Sequence, residues 1–417
     1  MHGRPYIQAW PFKTPCAMSA KQTRATSGGR IGPLASITTT GTGLAEEIIE
    51  LGGKGIRNCY QCGTCTAVCP ISEASSANFR KTIKYVQLGL DRKLLGDVTP
   101  WLCYYCGDCQ ASCPRQANPS EIMAAVRRYQ TGRYDWTGIS SRLIRSKKVE
   151  LLAIGLLFFL TAGVVWLFHG PVVTSAVRLE TFAPIGIVEP VGLAAFAILA
   201  ALLMSNTFRM YRFIKSSNPD QAGAPRRGPI SALRETTSIL GSYFLTQFPM
   251  SECGARRRWV DHVLMVAGYA VSFLLFVVLL RYTLTDQIYP WTNPLVLAGY
   301  FSAFALLYGT SISISRRVRG SDTYSRSARH STDWMFILLL FFTALTGFMV
   351  VLFQYLSMPM YAYVTFTLHL SFVVPLLVLE VPFAKWSHLA YRPFAAYFAS
   401  LRGMKIPRLR ERGVSRV

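Results

Sequence analysis

Two runs of cysteine constrain this chain more than any other feature. Eight of its ten cysteines fall in these runs, and the two runs have the same spacing. The runs are Cys59-x2-Cys62-x2-Cys65-x3-Cys69-Pro70 and Cys103-x2-Cys106-x2-Cys109-x3-Cys113-Pro114. This spacing is typical of chains that bind two [4Fe–4S] clusters, in which the fourth cysteine of each run binds the other cluster.

The geometry of the loops predicts two ligand sets. Three thiolates on one tight loop reach three irons of a single cube, whereas the fourth, beside a proline that turns the chain, points away from it. We therefore predict that the first cluster is held by Cys59, Cys62, Cys65 and Cys113. The second predicted set is Cys103, Cys106, Cys109 and Cys69.

Zinc and disulfides are the alternatives for these cysteines. Zinc takes four ligands in two separated pairs and has no use for the third cysteine of each run. Disulfide frameworks are typical of small secreted domains, and we do not expect one in a chain this rich in membrane segments. The remaining cysteines, Cys16 and Cys253, have no partner at useful spacing and are predicted to be ordinary thiols.

The segments around the cysteine runs have helical patterns. Residues 1–43 are a basic, Gly- and Ser-rich stretch that we expect to be disordered. Apolar residues recur at helical spacing in 44–53, 77–90 and 119–133. The 33 residues between Cys69 and Cys103 exceed the gap of a minimal β-rich ferredoxin, which favours an all-α ferredoxin.

Composition indicates a membrane protein. The chain is 51% hydrophobic and has a formal net charge of +23. Six apolar stretches approach the roughly 20 residues that a bilayer requires. They are about 149–168, 188–208, 260–281, 294–314, 332–354 and 362–383.

The connecting segments on one side contain 22 Lys and Arg residues against 2 on the other. This asymmetry places that basic side, with the ferredoxin domain and the C-terminus, in the cytoplasm. Nucleic-acid binding is not needed to explain the charge, because the basic residues flank the spans.

Histidines at the spans predict haem b. Ionisable residues inside a membrane are costly and usually functional, and two imidazoles from different helices can bind one iron. From their depths we pair His388 with His262 at the inner face and His369 with His169 at the outer face. His330 also lies near the inner face, where it could replace His262 or contact a quinone. The alternative is that histidines at helix ends are only interfacial residues, and it applies most to His169 and His330.

Several segments resemble known families. NCYQCGTCTAVCP and WLCYYCGDCQASCP resemble the C-type iron–sulfur subunit of heterodisulfide reductases. HSTDWMFILLLFFTALTG and HLSFVVPLLVLEVPFAKWSHLAYRPFA resemble the cytochrome b subunit of nitrate reductase and the E-type subunit of heterodisulfide reductase. The two parts in this order are similar to the C-type membrane subunit of quinone-interacting membrane-bound oxidoreductases.

The resemblance implies ligands and partners. In the nitrate reductase cytochrome the last span supplies one histidine to each haem, which His369 and His388 match. An earlier span there supplies two more; His262 matches the first, but Tyr269 and Ser272 lie where the second is expected. The family also implies soluble flavin- and iron–sulfur-bearing partner subunits and, in the sulfur pathway, a link to adenylylsulfate reductase.

These observations predict an all-α fold in which a two-cluster ferredoxin domain precedes a six-helix transmembrane cytochrome b-like bundle. The predicted units are a basic extension (1–43), the ferredoxin domain (44–140), the haem b domain (146–392) and a cytoplasmic tail (393–417). The predicted function is electron transfer between quinone, haem b and the two clusters, to or from soluble partners. The alternatives are the membrane subunit of a heterodisulfide reductase-type complex, or a membrane-anchored ferredoxin without haem.

Overall fold

Helices account for the regular structure of the chain. The computed structural model describes residues 43–217, 228–251, 256–320 and 330–406, and within these ranges it contains no β-strand. The prediction of an all-α fold is therefore confirmed for the described residues. The predicted basic extension, except Gly43, lies outside them, as do Cys16 and Cys253.

The part before the first span is built from short helices around the cysteine runs. These helices are α1 (Leu44–Glu50), α2 (Thr64–Ala67), α3 (Pro70–Ala74), α4 (Phe79–Gln87), α5 (Asp91–Leu95), α6 (Thr99–Leu102), α7 (Asp108–Ala111), α8 (Pro119–Tyr134) and α9 (Ile139–Arg145), with a 3-10 helix at Lys54–Asn58. Helix α4 illustrates how the apolar pattern of the sequence is buried. Phe79, Ile83 and Val86 lie buried on one face, and Asn78 caps the first turn by accepting a hydrogen bond from Lys81 N at 3.0 Å.

Within the described ranges, six helices are long and apolar enough to cross a membrane. The helices of this part are α10 (Lys147–Phe168), α11 (Leu179–Phe182), α12 (Ile185–Ser217), α13 (Pro229–Ile239), α14 (Arg256–Phe273), α15 (Leu280–Thr283), α16 (Pro294–Arg319), α17 (Ser331–Tyr355), α18 (Pro359–Pro375), α19 (Val381–Phe383) and α20 (His388–Leu401). The candidate spans are α10, α12, α14 with its π-helical extension Leu274–Val278, α16, α17, and α18 together with α19. They confirm the six predicted apolar stretches.

The sixth span changes its winding near its C-terminal end. A π-helical turn, Leu376–Glu380, separates α18 from α19, and a short 3-10 helix, Lys385–Ser387, precedes α20. Pro382 lacks the N–H that a continuous α-helix would use at this point, which accounts for the altered hydrogen bonding. The chain thereby turns out of the span and begins α20 at His388.

Helix α12 links the membrane part to the ferredoxin part. It has 33 residues, so it extends about 50 Å and exceeds the length that a bilayer requires. Its end is held by α5: Ser217 Oγ donates to Arg92 O at 2.6 Å, and Lys93 Nζ donates to Ser217 O at 2.8 Å.

One hydrophobic core joins the ferredoxin helices to α12 and α20. It contains ferredoxin residues such as Trp101 and Tyr134 together with Ile214 of α12 and Tyr391 of α20. The ring centroids of Trp101 and Tyr391 lie 5.2 Å apart, and those of Tyr134 and Tyr391 lie 5.6 Å apart, both edge to face. Residues 393–401, which the sequence analysis assigns to a tail, thus belong to a helix whose inner face is buried against the ferredoxin part.

Asp333 connects the ferredoxin part to the start of α17. Arg128 of α8 donates from Nη2 to its carboxylate at 2.7 Å and from Nη1 to Leu51 O at 2.9 Å. Lys385 is paired with the other carboxylate oxygen, and Arg317 donates to the Asp333 carbonyl. The Asp333 side chain is only 5% exposed, so this buried carboxylate balances cations from three separate segments.

We predict that Asp333→Asn destabilises the protein. The substitution leaves the partly buried cations Arg128 and Lys385 without their buried anion, and breaking a buried pair typically costs about 3–5 kcal/mol. The expected result is a clearly lower thermal unfolding midpoint of the detergent-solubilised chain.

Arg57→Ala is the matched control for that measurement. It removes a salt bridge to Glu46 in which both side chains are more than half exposed, and such pairs contribute about 0–1 kcal/mol. Equal midpoints for the Asp333 variant and wild type would contradict the role given to the buried pair.

Candidate metal centres

The two cysteine runs fold into the same local structure. The residues two positions after the first cysteine, Gln61 and Tyr105, have φ of 61° and 59°, and Gly63 and Gly107 have φ of 89° and 96°. Each glycine then begins a one-turn helix that holds the third cysteine. Only glycine adopts these backbone angles without strain, which explains its presence at the same position in both runs. The repeated conformation makes each run a loop that turns its thiols toward one centre.

The first predicted ligand set lines a single cavity. Cys59, Cys62, Cys65 and Cys113 all line it, so the structure brings the last cysteine of the second run to the first three of the first run. Burial raises the pKa of Cys59, and the neighbouring Cys113 and Cys62 raise it further. Thiols this close repel one another as thiolates, and a positively charged metal core offsets that repulsion.

The second predicted set is also brought together. Burial raises the pKa of Cys69 to about 11, with a further contribution from Cys103 of the other run. Burial likewise raises the pKa of Cys109, and Cys103, Cys106, Cys65 of the first set and Cys69 add to that effect. The four thiols are therefore electrostatic neighbours, as one shared cluster requires.

The described thiols do not converge on a site for a single ion. Among the residues that the structure describes, no group of three or more His, Cys, Asp or Glu side chains could hold one metal ion. Zinc needs its four ligands to converge on one point. Each cysteine of a [4Fe–4S] cluster binds a different iron, so its four thiols surround the cube without converging. This arrangement fits two clusters better than two zinc ions.

Backbone amides support the cysteine sulfurs. Tyr105 N donates to Cys103 Sγ at 3.4 Å, and Ala117 N donates to Cys113 Sγ at 3.3 Å. Such donors stabilise thiolates and adjust the potential of a cluster. Ala117 lies so close to Gly55 that a Cβ added at Gly55 would overlap the Ala117 carbonyl.

The two ligand sets differ in exposure. Cys62 of the first set is exposed, and its pKa is lowered by hydrogen bonds from Thr64. Cys103 of the second set is buried, and burial raises its pKa despite the opposing charge of Arg127. The first centre thus faces the surface, whereas part of the second lies inside the protein.

The predicted inner histidines, His388 and His262, interact electrostatically. His388 begins α20, and its Nδ1 is hydrogen bonded to Lys385 O, which leaves Nε2 free for a metal. Burial and then Lys385 and Arg392 hold the pKa of His388 well below its usual range, and His262 of α14 also contributes. His262 has a buried Nδ1 without a hydrogen-bond partner. Two neighbouring neutral imidazoles from different helices fit the predicted haem ligands.

The predicted outer pair is placed differently. His369 Nδ1 lies 3.1 Å from Thr343 O, and its ring packs on Gly347 of α17. His169 lies at the end of α10, where it is exposed and stacks on Phe182 at 5.2 Å. The structure thus places His369 within the bundle and His169 at its margin, and the contacts of His169 are with its neighbours Trp166, Gly170 and Phe182.

His330, Tyr269 and Ser272 were also singled out from the sequence, and each makes a defined contact in the structure. His330 Nδ1 contacts Thr332 Oγ1 at 2.9 Å, and burial, with Arg128, lowers its pKa to about 4. Tyr269 packs against Trp386 with ring centroids 5.7 Å apart. Ser272 is hydrogen bonded to Ser302 of α16.

Comparison with known proteins identifies the cysteine-rich part. Residues 55–117 match the 4Fe-4S dicluster domain family. A protein of Archaeoglobus profundus that is described as like the C-type subunit of heterodisulfide reductase is 38% identical over 104 residues, which are 25% of this chain and 55% of that protein. The second C-type iron–sulfur subunit of the CoB–CoM heterodisulfide reductase of Methanocaldococcus jannaschii is 44% identical over 54 residues, 13% of this chain and 27% of that protein.

These matches are limited to the iron–sulfur part. The chain spans about half the length, or less, of the curated relatives that it matches. No solved structure matches the chain. The described part of the chain therefore combines a 4Fe-4S dicluster domain, similar to the C-type subunits of heterodisulfide reductases, with six helices long and apolar enough to cross a membrane.

We predict that Cys113→Ser alters the first cluster. Cys113 belongs to the second run in sequence but lines the cavity of Cys59, Cys62 and Cys65. The expected result is a changed or lost EPR signal for one cluster, the same one that Cys62→Ser affects. An effect shared with Cys106→Ser instead would contradict the exchange of ligands between the runs, and Cys253→Ser serves as a control.

We predict that Gly55→Ala reduces the iron content of the protein. The added methyl group overlaps the backbone carbonyl of Ala117, whose amide supports Cys113, so the loop must shift. Iron and acid-labile sulfide per chain should fall toward the value for one cluster. Gly43→Ala is the control, because a Cβ at that position meets no atom within 4 Å.

Proposed function

We propose that this chain is an electron-transfer subunit that connects membrane quinone, through haem b and two [4Fe–4S] clusters, with soluble flavin- or iron–sulfur-bearing partner subunits. The observation that supports it most is the position of α20. This helix begins with His388, one of the two neighbouring imidazoles, and one turn later Arg392 donates from Nη2 to Cys103 O at 3.1 Å. Candidate ligands for a haem and for a cluster are therefore connected through one helical turn.

The residues at the inner face fit haem b. His388 has a carbonyl partner for Nδ1, and His262 offers a buried nitrogen that has no partner. Haem b, when bound, supplies a one-electron centre that can mediate between a two-electron quinone and one-electron clusters. The protein side chains orient the two imidazoles, and Trp386 and Tyr269 form an aromatic wall beside them.

The support for the outer site is weaker. His369 has an oriented Nδ1 and packs inside the bundle, but His169 is stacked on Phe182. Our proposal therefore centres on the inner pair, with His369 as a ligand of an outer haem whose second ligand is undetermined among the described residues.

The partners are proposed from the relatives. The named proteins similar to the ferredoxin part are subunits of heterodisulfide reductases, which favours soluble partners of a heterodisulfide reductase-type complex. A link to adenylylsulfate reductase is an alternative that rests on the resemblance of the whole chain. The first cysteine set, through its exposed member Cys62, is the natural point of contact for either partner, since electrons transfer most readily from a centre near the surface.

We predict that His388→Ala removes haem b from the purified protein. The change deletes an imidazole that is oriented by its contact with Lys385 O and that would hold the haem together with His262. The expected result is loss of most of the reducible Soret and α bands in the difference spectrum, while iron–sulfur EPR signals remain.

His262→Ala should have the same effect, and His330→Ala should retain the haem spectrum. A wild-type protein with both clusters and without a reducible b-type spectrum would contradict the haem proposal. It would leave a membrane-anchored iron–sulfur protein.

A further inference from the structure

Two arginines converge on the backbone of one predicted cluster ligand. Arg392 Nη2 donates to Cys103 O at 3.1 Å, and its Nε donates to Trp101 O at 3.0 Å. Arg127 of α8 donates from Nη1 to the same Cys103 O at 2.7 Å. The guanidinium of Arg392 also lies 4.1 Å from the ring centroid of Tyr104. We name Arg127 and Arg392 the arginine clamp.

The charge of this clamp lacks a carboxylate partner. Among the described residues, the salt bridges involve other arginines, such as Arg128 with Asp333, and neither clamp residue takes part in one. Both side chains are partly buried. Partly buried cations without an anion are unfavourable unless a negative group lies nearby. Four thiolates around a [4Fe–4S] core give the cluster a net negative charge, and Cys103 places that charge beside the clamp.

The other cysteine set has a different environment. Cys62 is exposed. Arg80 and Arg115 line the cavity of this set, and Arg115 stacks on the exposed ring of Tyr60 at 4.1 Å. Solvent supplies much of the stabilisation of charge at that centre. At the centre of Cys103, burial excludes solvent, so fixed cations must stabilise the charge of the cluster instead.

We propose that the arginine clamp holds the Cys103 loop and stabilises the reduced state of the cluster bound by Cys103, Cys106, Cys109 and Cys69. The proposal rests on the proposed function for the presence of that cluster. Reduction adds one electron to the cluster and breaks no iron–sulfur bond, so its main cost in a buried site is electrostatic. Burial alone lowers the potential of such a centre, and the two guanidinium groups oppose that effect.

The clamp also ties this cluster to the inner histidine pair. Arg392 lies one helical turn after His388 on α20, so the residue that orients the Cys103 loop is fixed relative to the proposed haem ligand. We therefore assign the cluster of Cys103 to the position nearer the membrane, and the cluster of Cys62 to the position nearer the soluble partner.

An EPR-monitored redox titration of the full-length, cluster-loaded chain tests the proposal. Arg392→Gln should make reduction of one cluster at least tenfold less favourable, which is a midpoint lower by about 59 mV for one electron. Arg127→Gln should shift the same cluster in the same direction. Arg392→Lys, which keeps the charge, should shift it less.

Arg209→Gln is the matched control. Arg209 also donates from Nε to a ferredoxin carbonyl, Tyr134 O at 2.9 Å, but that residue is not a predicted ligand. Its loss should leave both midpoints unchanged. A water-soluble paramagnetic relaxation agent identifies the affected cluster, because it broadens the signal of an exposed centre more than that of a buried one.

Each outcome decides the proposal. A shift confined to the protected cluster supports it. Unchanged midpoints in both clamp variants, or a shift of the exposed cluster alone, would overturn it. If Arg392→Gln fails to retain the cluster, Arg392→Lys and Arg127→Gln decide instead. The haem spectrum of the wild type tests the proposed function separately, because it does not depend on the clamp.

Discussion

The edge-to-face contact of Tyr391 with Trp101 and Tyr134 is the interaction on which the arrangement of the proposed centres depends. It fixes the helix that leaves the sixth span against the ferredoxin helices. Each of these aromatic side chains is at most 1% exposed. Aromatic pairs of this kind contribute about 0.5–1.5 kcal/mol beyond the area that they bury. Because Arg392 follows Tyr391 directly, this packing also fixes the guanidinium on the Cys103 loop.

The ferredoxin part and the membrane part of the chain share one hydrophobic core. The ferredoxin helices do not complete their own core, because Met210 and Ile214 of α12 and Ala395 and Ala399 of α20 contribute to it. A small domain that buries little surface is only marginally stable alone. The membrane helices therefore do more than hold the ferredoxin at the bilayer: they supply part of its interior.

Local features of this molecule could be predicted from sequence. The cysteine spacing determines which thiols share a loop, and the six spans follow from length and apolar composition, because each of these signals is contained in a short segment. The depths of His262 and His388 along two spans predict that they lie at the same level of the bundle, and the structure makes them electrostatic neighbours. Depth alone gives no lateral position, so the pairing of His169 with His369 stays a prediction.

Contacts between distant segments could not be predicted in this way. Arg128 and Asp333 are 205 residues apart, and Arg392 and Cys103 are 289 residues apart. Periodicity and spacing carry no information about such pairs, and a basic residue after a span is expected on topological grounds alone. The sequence from His388 to Arg392 does indicate that both residues lie on one helix, one turn apart. It does not indicate which distant segment Arg392 contacts.

The dependence of the ferredoxin core on α20 has a consequence for biogenesis. Chains are made from the N-terminus, and domains usually fold in that order. Here the ribosome completes both cysteine loops long before it makes residues 388–401, so the interior around Cys103 stays open until the last hydrophobic segment has entered the bilayer.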